Sequence, residues 1–156
     1  MRLTAAGSIQ IDGAVTANGG EALYGGAGAG GSIWLEASRI GGAGAVRANG
    51  GGASSCSTGS VRGASGGGGR IALHGGTIET VLEERVQAIS PYACYRGGPG
   101  TIYTLRDGQV FGDLTIDNRS TSASAQVRLP AIGAGVVDAV GVDTFTDFEA
   151  TFPWSV

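Results

Sequence analysis

The chain contains no lysine, one histidine, two cysteines and four prolines in 156 residues. Each scarcity excludes something. Without lysine, ten arginines face 13 acidic residues, and the net charge is −3. Arginines scattered along an acidic chain do not make the basic stripe that nucleic acid requires, so no nucleic-acid partner is expected. One histidine, His74, and two cysteines far apart in sequence exclude a Cys/His zinc site. Cys56 and Cys94 do form an even pair, and a disulfide is open to them in an oxidising compartment. Leu, Ile, Val and Phe together number only 34, too few for a four-helix bundle. No apolar run reaches the roughly 18 residues that span a bilayer, so no membrane insertion is expected. The opening MRLTAAGSIQIDG has one basic residue and no apolar stretch, so it does not read as a signal peptide. Either a signal lies upstream or the protein stays in the cytoplasm.

What is abundant is glycine, 31 residues, of which 23 fall in residues 1–76. They have no three-residue period, which excludes collagen. Repetition accounts for them instead. Gly7-Ser-Ile-Gln-Ile-Asp12, Gly31-Ser-Ile-Trp-Leu-Glu36, Gly69-Arg-Ile-Ala-Leu-His74 and Gly100-Thr-Ile-Tyr-Thr-Leu105 share one pattern. A second element, Ala14-Val-Thr-Ala-Asn-Gly-Gly20, returns as Ala45-Val-Arg-Ala-Asn-Gly-Gly51, 31 residues on. Apolar residues alternate in these segments, so they are read as strands. Ile9/Ile11, Ile33/Leu35 and Ile71/Leu73 are the expected inward pairs. Gln10/Asp12, Trp34/Glu36 and Ala72/His74 point outward. The fourth copy has an extra residue before Leu105, which predicts a bulge. Strands recurring at such a period suggest a solenoid, with the glycine runs as turns between strands.

The stretch GGSIWLEASRIGGAGAVRANGG, followed by GGGGRIALHGG and GPGTIYTLRDGQVFGDLTIDN, resembles the Gly-rich right-handed parallel β-helix repeats of large bacterial surface proteins. The resemblance spans residues 1–118 and implies a fold of the pectin-lyase-like kind. The expected architecture is therefore all-β: a right-handed parallel β-helix of about four coils over residues 1–130, closed by a C-terminal cap over 131–156. In that cap Phe145, Phe148 and Phe152 have the spacing of one helical face, with Asp143 or Thr144 as N-cap; a strand is the alternative.

Three groups of side chains are candidate sites. Asp12, Glu36 and His74 would form an outward file, a carboxylate beside a histidine being an acid/base pair. Trp34 and Tyr103, with Tyr24 nearby, would form an aromatic file suited to sugar rings or a protein surface. Asp113 and Asp117 alternate near Asp107, Arg106 and Arg119, and could hold calcium with a third ligand. The resemblance implies an arginine base as well, for which Arg39, Arg47 and Arg70 are the choices, although no lyase motif is present. No other cofactor is expected. Asn18, Asn49 and Asn118 occupy similar places and suggest a hydrogen-bonded ladder.

The functional expectation is a structural or binding module of a secreted or cell-surface protein, presenting a rigid sheet face to a polysaccharide or a surface protein. A polysaccharide lyase or hydrolase is the rival. A scaffold that self-assembles through its ends, as a homo-oligomer, is the third reading.

Overall fold

A computed structural model describes residues 1–23, 25–53, 63–91, 93 and 95–119, together with the backbone of 139–140 and 145–146. Strands dominate. The larger sheet contains β1 (Arg2–Gln10), β3 (Ser32–Gly41), β5 (Arg70–Ile78), β7 (Thr101–Arg106) and β8 (Asp113–Thr115), in the order β1-β3-β5-β7-β8. A second sheet joins β2 (Ala14–Thr16), β4 (Ala45–Arg47) and β6 (Val86–Gln87). One short helix, α1 (Thr80–Glu83), precedes β6. A separate antiparallel pair is formed by β9 (Ala139–Val140) and β10 (Phe145–Thr146).

Alternation makes the strands. In β3 the side chains of Ile33, Leu35 and Ala37 are buried while Trp34 and Glu36 stay half-exposed. β5 repeats this with Ile71 and Leu73 inside and Ala72 and His74 outside. Parallel pairing sets Ile33 beside Ile71 and Leu35 beside Leu73. The core lies between the two sheets, where these residues meet Val46 of β4, Val86 of β6 and Leu82 of α1. Leu35, Leu73, Val46 and Leu82 have no exposed surface. Few large side chains suffice because each strand adds the same small set to one narrow layer.

The expected right-handed β-helix of about four coils is not what these residues form. They make one mixed and one parallel sheet, with no closed helix among the described residues. The reversal comes at the end of β7. Gly108 takes φ +83°, open to glycine at no steric cost, and the chain turns back so that β8 pairs antiparallel with β7. A continuous parallel stack requires every strand to run the same way, and this hairpin breaks that rule. The expected cap over 131–156 lies almost wholly outside the described residues. Phe145, expected on a helix face or in a strand, has strand backbone; Phe148 and Phe152 are outside.

Two register expectations also change. The fourth copy has no bulge: β7 runs regularly beside β5, Thr104 takes the inward place opposite Leu73 and is 4% exposed, and Leu105 pairs with His74. The irregularity lies in β1 instead, between Ala5 and Ser8. β1 begins well before Gly7, so Leu3, not Ile9, lies beside Leu35.

The glycine runs are the largest departure. They are not mere turns but a packed, hydrogen-bonded layer. Along the stack, Gly30 N–H bonds the Gly67 carbonyl (2.9 Å) and Gly68 N–H bonds that of Gly98 (3.0 Å). Across it, Gly28 N–H bonds Gly20 (2.9 Å), Gly51 N–H bonds Gly28 (2.8 Å) and Gly66 N–H bonds Gly51 (3.0 Å). Isolated parallel bridges, Gly26 to Ala64 and Ala64 to Tyr95, run through the same region. A Cβ on Gly19, Gly50, Gly51 or Gly66 would come closer than 3.0 Å to a neighbouring backbone oxygen. Only glycine lets backbones approach so closely. The layer thus satisfies many of its backbone groups with other backbone groups.

Asparagines fasten one edge of this layer. Asn18 Oδ1 accepts the Asn49 N–H (2.9 Å), Asn49 Oδ1 accepts the Ile89 N–H (3.0 Å) and Asn118 Oδ1 accepts the Ser90 N–H (2.9 Å). The ladder therefore runs from side chain to backbone, onward in the chain from Asn18 and Asn49 and back from Asn118 to Ser90.

Candidate functional site

The outer face of the larger sheet brings one set of polar and aromatic groups together. Register places Arg2, Trp34, Ala72 and Tyr103 side by side on successive strands. The next outward row is Thr4, Glu36, His74 and Leu105. His74 leans back between the two aromatic residues of the first row. Its ring centroid lies 4.1 Å from that of Trp34, tilted 31°, and 5.7 Å from that of Tyr103, tilted 54°. Such tilted, offset rings are favourable contacts. Arg2 adds a guanidinium 5.5 Å from the Trp34 ring centroid, within cation–π range.

Glu36 is the electrostatic centre. Its Oε2 accepts the Trp34 indole N–H (3.1 Å) and an Arg2 N–H (2.9 Å). The indole bond, then the arginine bond, hold the Glu36 carboxyl below the ordinary glutamate range. Such a group accepts hydrogen bonds well and is a poor proton donor near neutral pH. Register does set Glu36 beside His74, as an acid/base pair requires. Asp12 is not part of that file. It lies past the end of β1, accepting the Ala43 N–H (3.2 Å) and a Gln10 side-chain N–H (3.1 Å), and Thr4 takes its place beside Glu36. The cause is the early start of β1. The 31-residue spacing of the two AVxANGG elements carries the signal, since it puts the partner of β3 near residue 2.

Two clefts flank the ring row. A cleft of about 640 Å³ lies on one side, lined by Glu36, Ser38, His74, Arg106, Asp107 and Gln109. A second, of about 360 Å³, lies on the other. Trp34 and Tyr103 line this one with Ala72 and Ile71, and Ser32, Arg70 and Thr101 supply polar groups. Ala72 leaves the space. Trp34 and Tyr103 stand two strands apart, about 9.6 Å at normal strand spacing, with the Ala72 methyl on the strand between them and the His74 ring leaning in between theirs. The Tyr103 hydroxyl accepts the Gly112 N–H (3.1 Å), which ties the ring to the turn before β8. Sequence reasoning did not place Ala72 in the site, because a small residue carries no chemical signature.

The remaining candidates lie elsewhere. Asp113 Oδ2 accepts from Arg106 (3.3 Å) and from Gln109 (3.2 Å), and Asp117 Oδ1 accepts the Arg119 N–H (2.7 Å) in a turn. Among the described residues no three His, Cys, Asp or Glu side chains cluster as metal ligands. Arg39 is paired with Glu79. Arg70 lines the smaller cleft, whereas Arg47 belongs to the other sheet. Tyr24, Cys56 and Cys94 are outside the described residues. No described helix is long and apolar enough to cross a membrane.

A second carboxylate behaves like Glu36. Glu79 accepts the Gly42 N–H (3.0 Å) and pairs with Arg39; the backbone bond first, then the arginine, lower its pKa. Both groups therefore release protons more readily folded than unfolded. Between the lowered pKa and the ordinary value the unfolded chain binds more protons, so stability rises with pH there. Their contribution is fully present above the ordinary value of 4.5 and is lost as pH falls through the folded values. Urea midpoints measured from neutral to acid pH are expected to fall below about pH 4.5. The double variant Glu36→Gln, Glu79→Gln should flatten that fall and lower the neutral-pH midpoint.

No family model, curated protein or solved structure matches this chain.

Proposed function

We propose that this chain is a carbohydrate-binding module, which stacks a sugar ring against the row of Trp34 and Tyr103 on the outer face of its larger sheet, in the cleft those two residues line. The observation that carries this reading is the smaller cleft: two aromatic walls, an Ala72 floor, and polar groups from Ser32, Arg70 and Thr101 at its margin. Flat aromatic rings suit the C–H faces of a pyranose, and the polar margin suits its hydroxyls. His74 backs both rings and limits their rotation. The carboxylate held ionised at Glu36 favours binding over acid catalysis, because a general acid needs a raised pKa. The resemblance of the Gly-rich repeats to bacterial surface proteins supports a secreted or cell-surface location.

The test is a glycan array followed by calorimetry on the strongest hit. Ala72→Phe fills the cleft from a half-exposed outward position and leaves the core untouched. It is expected to weaken binding at least about tenfold, a loss of about 1.4 kcal/mol, with an unchanged thermal midpoint. Binding that survives Ala72→Phe would place the ligand elsewhere. Turnover of a polymer, seen as new reducing ends, would favour the enzyme reading.

A further inference from the structure

Among the described residues the larger sheet ends in the long strand β1. Among the described residues no strand pairs with the outer side of β1. Proteins usually protect such edges with lysine, proline or brevity. β1 has nine residues, no lysine and no proline, and Arg2 is its one charged side chain. Seven of the nine are exposed, including Leu3 at 41%. At the opposite edge β8 has only three residues.

The backbone groups on that edge can be assigned. Trp34 N–H bonds the Met1 carbonyl (2.9 Å), and Ile11 N–H bonds the Gly41 carbonyl (2.8 Å). Odd-numbered residues of this segment therefore face β3 on both flanks. Alternation turns the N–H and C=O groups of Arg2, Thr4, Ser8 and Gln10 to the free side.

The sequence of β1 is chemically palindromic about Ala6: Arg2-Leu-Thr-Ala-Ala-Gly-Ser-Ile-Gln10. Against an antiparallel copy of itself, Thr4 meets Ser8, Arg2 meets Gln10, and Leu3 meets Ile9. The first two pairs are the residues whose backbone groups face outward, so each can exchange two hydrogen bonds. Thr–Ser pairs and apolar pairs across strands are themselves stabilising. Leu3 and Ile9 both lie on the core side of β1, beside Leu35 and Ile40, so their pairing would extend the core across the junction. Ala6, at the centre, has its carbonyl taken by the Ser38 hydroxyl (2.8 Å), which leaves the bonding to the two flanks.

We infer that this chain forms a two-fold dimer through antiparallel pairing of β1 with β1 of a second copy. The contact is isologous and closed, since one patch serves both copies. Sedimentation of the full chain from about 1 µM to about 500 µM should reveal a monomer–dimer equilibrium with a micromolar midpoint. In the dimer, amide exchange at Arg2, Thr4, Ser8 and Gln10 should slow relative to dilute protein, whereas Leu3 and Ile9 should change little. Thr4→Pro removes one edge-facing N–H and no bond to β3. It should raise the dissociation constant at least about tenfold. Should that variant lose the wild-type circular dichroism, the exchange pattern of the wild-type chain decides alone. A monomer at every concentration overturns the inference, as does a dimer in which those four amides exchange at monomer rates.

Discussion

Gly66→Ala is expected to leave the chain largely unfolded at room temperature. Gly66 is buried, and its N–H bonds the Gly51 carbonyl. A methyl there would meet the Gly28 carbonyl carbon and oxygen closer than 3.0 Å. Neither atom can move cheaply, because Gly28 is held at both ends: its N–H bonds Gly20, and its carbonyl accepts the Gly51 N–H. The layer must open to admit one carbon. The expected loss exceeds about 4 kcal/mol, the range reserved for strained or overpacked interiors. Gly20→Ala is the control. Gly20 belongs to the same layer, yet a Cβ there meets nothing within 4 Å and its φ is not in the left-handed region. That change should be neutral, or stabilising by up to about 1 kcal/mol, since alanine restricts the unfolded chain. Urea midpoints for the two variants test the layer directly. Equal effects would mean that the glycines act only as turns.

Trp34→Ala should weaken sugar binding about thirtyfold or more while the fold survives. The ring lines the smaller cleft, stacks on His74, sits near Arg2 and donates its N–H to Glu36. A hot-spot side chain is worth about 2 kcal/mol or more in binding, about thirtyfold in affinity. Its half-buried position limits the loss of stability to about 1–2 kcal/mol. Trp34→Phe separates the roles. It keeps a stacking face, so most of the affinity should remain. It loses the indole N–H, so the Glu36 carboxyl should titrate closer to the ordinary glutamate value. Calorimetry and carboxyl NMR read the two effects independently. Full binding by Trp34→Ala would remove the cleft from the reading.

The inward residues of β3 and β5 were legible because each carries an Ile and a Leu at alternating places, and that alternation has one physical cause. The aromatic row was legible on the same ground: Trp34 and Tyr103 hold the same outward position in copies whose register proved regular. β1 was misread because Leu3 and Ala5 are weak apolar signals beside Ile9 and Ile11, which drew the repeat to the wrong start and Asp12 into the wrong file. The hairpin of β7 and β8 was missed because period-two alternation says nothing about direction. Gly108 marks a turn, but not whether the chain continues or doubles back. The glycine layer was misread for a deeper reason. A sequence displays side chains, and this layer is made of backbone, so its cohesion leaves a trace only as the absence of anything larger than hydrogen.

The parallel pairing of the larger sheet also governs how the chain folds. Arg2 finds Trp34 across 32 residues and Ile33 finds Ile71 across 38. Within this sheet, among the described residues, the one hairpin joins β7 to β8. Each of these pairings must close a loop of that length before its first hydrogen bond repays the cost. Separations near a fifth of the chain belong to the slow end of small-domain folding, milliseconds to seconds. The β7–β8 hairpin is the one piece of the sheet that can form from neighbouring residues. The order of events follows: that hairpin first, β5 and β3 onto it in turn, and the exposed β1 last.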